Sequence, residues 1–153
     1  MVLTLVQAAI FISYVTFLLI KFKGPLKSIS ESWYKLGYPL RILFSVFSLS
    51  LGFTMALHPE SVFFFLSGLG LAFVGIASWS QSSEKITQWI HFGGATSAIV
   101  FGLLGVGFGL GSWAPLSIWM IVSIFILLFK IKNHFWWIEI MAFLTIIVGL
   151  LNH

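Results

Sequence analysis

The sequence predicts an all-α membrane protein: a six-transmembrane-helix bundle with both termini outside and a short interfacial helix in the first cytoplasmic loop. Three observations predict it. Hydrophobic residues make up 59% of the 153 positions and charged residues only 8%, against about 25% charged in a soluble domain. The apolar residues fall into six runs, each near the roughly 17–25 residues needed to cross the hydrocarbon core. Every Lys and Arg lies in alternate loops. So few charges cannot cover a water-soluble body, and a disordered chain has the opposite bias. The formal charge of +4 arises from 8 basic and 4 acidic residues, without the clustered basic face that binds nucleic acid.

The chain reads as one transmembrane domain, 1–153, with spans at 2–20, 40–57, 61–79, 86–110, 114–129 and 135–151. The first run lacks a basic leader and a small-residue cleavage site, so it is expected to be a retained span rather than a signal peptide. Residues 29–36 form the interfacial helix. Ser28 and Glu31 have capping-box spacing, Ile29, Trp33 and Leu36 recur at helical spacing, and Gly37 and Pro39 stop the helix. Lys27 and Lys35 are expected near anionic headgroups, with Trp33 at the interface; a plain loop with one helical turn is the alternative. The fifth run, at 16 residues, is short for a span.

Loop one holds Lys21, Lys23, Lys27, Lys35 and Arg41; loop three holds Lys85; loop five holds Lys130 and Lys132. The positive-inside rule puts these loops in the cytoplasm of a multi-pass inner or plasma membrane protein. Trp33, Trp79, Trp89, Trp136 and Trp137 then fall near the inner interface, and Trp113 and Trp119 near the outer one.

Helices in lipid associate through small and polar residues. The fourth run carries such a ridge at steps of four and three: Glu84, Gln88, His91, Ala95, Ala98, Gly102, Gly105, Gly109. Shorter ridges occur in the second (Arg41, Ser45, Ser48, Gly52, Ala56), third (Gly68, Ala72, Gly75, Ser78) and sixth (Glu139, Ala142, Thr145, Gly149, Asn152). Tight packing accounts for most of them. Alternating glycines at 105, 107, 109 and 111 mark a loosened outer end of the fourth helix.

Glu139 stands out. It lies about 7 Å inside the sixth run at 1.5 Å per residue, and an intramembrane carboxylate reads by default as functional with a nameable partner. A substrate- or ion-binding cluster of Glu139, His91, Gln88 and Arg41 is expected, or else a pair that only holds helices together. A metal site would have to use His91, His134 and Glu139. His134 and Glu139 are five apart, roughly 140° around a helix, and do not naturally converge; no metal or other cofactor is implied. His58 and Glu60 read as turn residues. The serines near the inner face, Ser28, Ser30, Ser78, Ser80, Ser82 and Ser83, include no evident nucleophile. With no cysteine, there is no thiolate chemistry or disulfide.

Four stretches carry a resemblance: Ser28-Ile-Ser-Glu-Ser-Trp-Tyr-Lys-Leu36, Phe73-Val-Gly-Ile-Ala77, His91-Phe-Gly-Gly-Ala95 and Asn133-His-Phe-Trp-Trp-Ile-Glu-Ile140. The chain resembles small multi-span membrane proteins encoded by phages and bacteria, a likeness that covers most of its length and implies no activity. It also has a partial likeness to the ceramidase and progestin-receptor-like membrane hydrolases, which bind zinc through histidines. It departs from them in having six spans instead of seven, no Asp, and no paired histidines on the last helix.

Three functions are expected from different classes. The first is a channel- or transporter-like protein for an ion, proton or small solute. The second is a metal-dependent intramembrane hydrolase acting on lipid, and the third a structural or partner-binding protein using Trp33. The partners consistent with this composition are the lipid bilayer and a second copy in a homo-oligomer.

Overall fold

In the computed structural model, residues 1–37, 39–77 and 84–153 are described, apart from the side chains at 84, 85 and 87. Helix α1 covers Val2–Phe22, α2 Glu31–Lys35, α3 Arg41–Ala56, α4 Val62–Ala77, α5 Glu84–Leu104, α6 Trp113–Leu128 and α7 His134–Leu151. Among the described residues there is no strand. The expected runs at 2–20, 40–57, 61–79, 86–110, 114–129 and 135–151 each overlap one long helix. Their lengths revise the six-span expectation. Among the described residues three helical segments, Val2–Phe22, Gln88–Gly109 and His134–Leu151, are long and apolar enough to cross a membrane. Helices α3, α4 and α6 have 16 residues each, about 24 Å of axial rise against a hydrocarbon core of about 30 Å.

Packing follows a closed circuit. Helix α1 meets α3, α3 meets α4, α4 meets α5, α5 meets α7, and α7 returns to α1. Helix α6 leans on α7 from outside, and only Ser123 and Ile126 of α6 are buried. On α1 the buried residues are Thr4, Gln7, Phe11, Tyr14 and Leu18, a 3.5-residue repeat that keeps one face toward the interior. Phe11, Tyr14 and Leu18 join Phe44, Phe47, Leu51, Leu71, Val74, Phe143 and Ile147 in the main core. A second core joins Met55 and Phe64 to Leu103, Val106, Ile146 and Leu150. The outward faces are also apolar: Phe53, Phe73, Phe92 and Phe108 are all exposed. So much contiguous apolar surface is foreign to a monomer in water.

Small residues set the helix spacing. A Cβ on Gly94 would lie 2.7 Å from the Gly70 carbonyl oxygen, and one on Gly68 would strike the Ala56 amide nitrogen at 2.7 Å. The α5 ridge therefore divides. Gly94, outside the expected series, and Ala98 face α4, whereas a Cβ on Gly102 would meet Ile146 of α7 as well as Ser67. Ser67 Oγ donates to the Ala98 carbonyl at 2.6 Å, tying α4 to α5. Gln88, expected on the ridge, is exposed. Where a loosened end is expected, near Gly105, the chain forms a π-helical turn over Gly105–Gly109, with the Leu110 amide bonded to the Gly105 carbonyl at 2.9 Å. A Cβ on Gly105 would collide with the Phe64 ring, so glycine admits that ring.

Adjacent glycines separate packing from helix propensity. Gly94→Ala is expected to destabilise the protein by about 1–3 kcal/mol through overpacking. Gly93→Ala, where a Cβ meets nothing within 4 Å, should be neutral or mildly stabilising. Thermal unfolding of both variants in detergent, followed by circular dichroism, measures the contrast.

Candidate functional site at the loop-one end

Residues 24–36 form a docked segment rather than a helix lying on a surface. The expected helix at 29–36 contracts to the five residues of α2, and Leu26, Ile29, Ser32 and Leu36 are all buried. The capping logic holds with one shift. Ser28 Oγ accepts from the Glu31 amide at 3.0 Å, while Glu31 Oε2 reaches back to the Lys27 amide at 2.7 Å instead of to residue 28. Lys27 and Lys35 are exposed, and Lys35 Nζ lies 3.6 Å from Glu31.

The segment is fastened to α7 at three points. Asn133 Nδ2 donates to the Pro25 carbonyl at 2.8 Å. The Trp136 amide donates to the Lys27 carbonyl at 2.9 Å. The Ile29 amide donates to Glu139 Oε2 at 2.5 Å, and the Ser30 amide also bonds the same carboxylate. Positions 133, 136 and 139 share one helix face because a helix repeats every 3.6 residues; every second residue of the loop meets them. The Trp136 amide belongs to the first turn of α7, where helix geometry supplies no partner, so the loop completes the helix. From the other side Tyr14 Oη lies 2.8 Å from Ser32 Oγ, fixing α2 to α1.

Glu139 therefore has a partner, but not one expected for it. The half-buried carboxylate receives backbone amides at the start of the α2 turn, where anions are favoured. Among the described residues no hydrogen bond or ion pair joins it to His91, Gln88 or Arg41. Arg41 instead donates from Nε to the Leu36 carbonyl at 2.9 Å and lays its guanidinium 4.8 Å from the Trp33 ring centre. His91 is buried among Tyr34, Phe44 and Phe92, with Nε2 lacking a hydrogen-bond partner. His134 opens α7 beside Phe135. Among the described residues no three His, Cys, Asp or Glu side chains gather to hold a metal ion, so His91, His134 and Glu139 do not form a common centre. Trp136, expected at the interface, is fully buried. Ser78, Trp79, Ser80, Ser82 and Ser83 lie outside the described residues, as do the side chains of Glu84 and Lys85.

Behind Glu139 lies a cavity of about 30 Å³, room for about one water molecule. Ile29 and Ser30 border it from the loop, Glu139 and Phe143 from α7, Ser48 and Phe47 from α3, Val74 from α4 and Ala95 from α5. The docked loop and Glu139 border this space at the loop-one end.

A second polar group occupies the opposite end, in the turn between α3 and α4. His58 is 5% exposed, with Nδ1 3.1 Å from Glu60 Oε2 and Nε2 3.2 Å from Gln7 Oε1. Burial pushes the imidazole below its ordinary value, while Glu60 pulls in the other direction. His58 and Glu60, expected only as turn residues, are thus joined by Gln7, which is not among the expected site residues. Thr4 and Gln7, polar and three apart within the first apolar run, were the available signal.

No family model, curated protein or solved structure matches this chain.

Glu139→Ala is expected to destabilise the protein by about 1.5–3 kcal/mol, the range for a hydrogen bond to a charged group. It should also free the loop, so trypsin cleaves after Lys27 much faster than in wild type. Time-resolved digestion with mass analysis reads this directly; equal cleavage rates would remove Glu139 as the anchor.

Proposed function

We propose that the chain is a multi-pass protein of the inner or plasma membrane, in the channel or transporter class, closed at its cytoplasmic end by loop one. All six long helices are taken to cross or enter the bilayer, with the 16-residue helices accommodated by local thinning. The loops that carry every Lys and Arg are taken to face the cytoplasm. Exposed Trp89 and Trp137 are then suited to the inner headgroup region.

The observation that carries the transport reading is the small cavity inside the helical circuit, directly beneath the loop and edged by Glu139 and Ser48. A carboxylate, two serines and space for about one water suit a proton or small ion in transit better than a large solute. From there toward the other end the interior is mostly apolar: Leu51, Ala98 and Ile147 belong to the same core, with the Ser67 hydroxyl tied to the Ala98 carbonyl. On this reading such a constriction would block conduction by excluding water, and it would belong to a closed state. Opening would require loop one to leave Glu139. The π-helical turn and glycines of α5 supply a deformable segment for that movement.

Proteoliposomes with an internal pH dye and an imposed potassium diffusion potential test this. Wild-type protein is expected to pass protons above the rate of empty vesicles, and Glu139→Gln to abolish that flux while retaining its helical circular dichroism. Unchanged flux in a folded Glu139→Gln protein removes Glu139 from the mechanism.

A further inference from the structure

A groove of about 330 Å³ runs between α1 and α3. Tyr14 and Phe47 form its floor, stacked with ring centres 4.1 Å apart and both buried. Ile10 and Phe17 of α1 and the exposed Leu43 and Val46 of α3 form its sides. The Tyr14 hydroxyl is turned to Ser32. Apart from the hydroxyls of Ser13 and Ser50, the groove therefore offers hydrocarbon and ring faces.

Positions 10, 14, 17 and 21 recur at steps of four and three, so they share one face of α1. Lys21 thus continues the line of the groove toward loop one, about 6 Å beyond Phe17 at 1.5 Å per residue. Lys21 and Lys23 are both exposed, and among the described residues neither makes an ion pair. Lys35 is held by Glu31, and Arg41 by the Leu36 carbonyl and the Trp33 ring. Glu31 is the only acidic residue from 21 to 41, against five basic ones. An apolar groove that leads to two uncommitted cations complements a molecule with a hydrocarbon arm and an anionic head. A second copy fits less well. Inserted the same way up and packed here about a two-fold axis, it would set its own Lys21 against this one.

We propose that this groove binds an anionic phospholipid: one acyl chain lies on Tyr14 and Phe47 between α1 and α3, and the phosphate of the headgroup meets Lys21 and Lys23. The proposal rests on the reading that the loop-one end faces lipid headgroups, and not on transport. The groove holds the chain through apolar contact, which any phospholipid offers, and the two lysines select an anionic head. The bound chain braces α1 against α3 beside the Tyr14–Ser32 contact that fixes α2.

The absence of cysteine permits a single reporter thiol in the full chain. Val46, a lining residue that is 52% exposed, is changed to Cys, labelled with bimane and placed in vesicles. Quenching by phosphatidylglycerol brominated in mid-chain is compared with quenching by equally brominated phosphatidylcholine. Phe73, 57% exposed in a second groove of about 360 Å³ between α4 and α5, carries the reference thiol as Phe73→Cys. At Val46→Cys the mole fraction of phosphatidylglycerol that halves the signal is expected to be several-fold below that of phosphatidylcholine. At Phe73→Cys the two lipids should act alike. Lys21→Gln with Lys23→Gln should remove the difference at Val46→Cys, and Ser13→Phe, which fills the groove without changing charge, should reduce it. Equal quenching by both lipids at Val46→Cys, the same preference at Phe73→Cys, or a preference that survives either change overturns the proposal. Protection of Val46→Cys from both lipids points to a second copy on this face and overturns it too. Absence of quenching at both positions removes the membrane placement itself. Proton flux in Glu139 variants bears on none of these results, so the lipid site and the transport reading stand or fall separately.

Discussion

The hydrogen bonds from the Ile29 and Ser30 amides to Glu139 are the constraint on which the rest of this structure depends. A carboxylate about one and a half turns into an apolar helix needs strong hydrogen-bond donors to be tolerated there, and loop amides at the start of a helical turn supply them. The same bonds bring Leu26, Ile29 and Leu36 under the helices and into the core. They hold α7 beside α1 and close the circuit of five helices. Because α7 is last in the chain, that closure joins residues about 110 positions apart. A loop-closure entropy of that size is offset by several contacts acting together, here Asn133, the Trp136 amide and Tyr14–Ser32 as well as Glu139.

Two polar layers result, one at each end, with a mostly apolar interior between them. Near loop one the polar atoms are largely backbone, gathered around one acidic side chain. At the other end they are side chains, Gln7, His58 and Glu60, gathered around one titratable ring. Glycine and serine contacts of α3, α4 and α5 hold the interior tightly on one side of the circuit. The seam between α5 and α7 is built differently, from Ile146 and Val106 packed onto Gly102 and Gly149. Side chains set against glycine can slide further than touching backbones, and the π-helical turn lies along this seam.

Much of this was legible in the sequence, for identifiable reasons. Apolar runs and their periodicity are properties of single helices, so the helix positions and the Ser28–Glu31 cap could be read locally. Glu139 could be singled out because a carboxylate has no inexpensive place in such a run. Its partner could not. Sequence spacing shows which residues share a face of one helix, not which helix or loop lies opposite, and a backbone amide carries no residue signature. Charge complementarity favoured Arg41 and His91, yet Arg41 was taken by the Leu36 carbonyl and the Trp33 face. The Gly94–Gly70 contact escaped the ridge for a related reason: α5 packs against two neighbours, so its small residues follow two stripes rather than one heptad line.

Hydrogen exchange of individual backbone amides in the intact protein, held in lipid nanodiscs, tests the anchoring of loop one most directly. The Ile29 and Ser30 amides should exchange slowly in wild type, as slowly as amides within the helices. Their protection should fall in Glu139→Gln while that of the Ala98 and Ile146 amides is kept. Exchange of Ile29 and Ser30 in wild type at the rate of an open loop, or protection untouched by the substitution, would contradict the account.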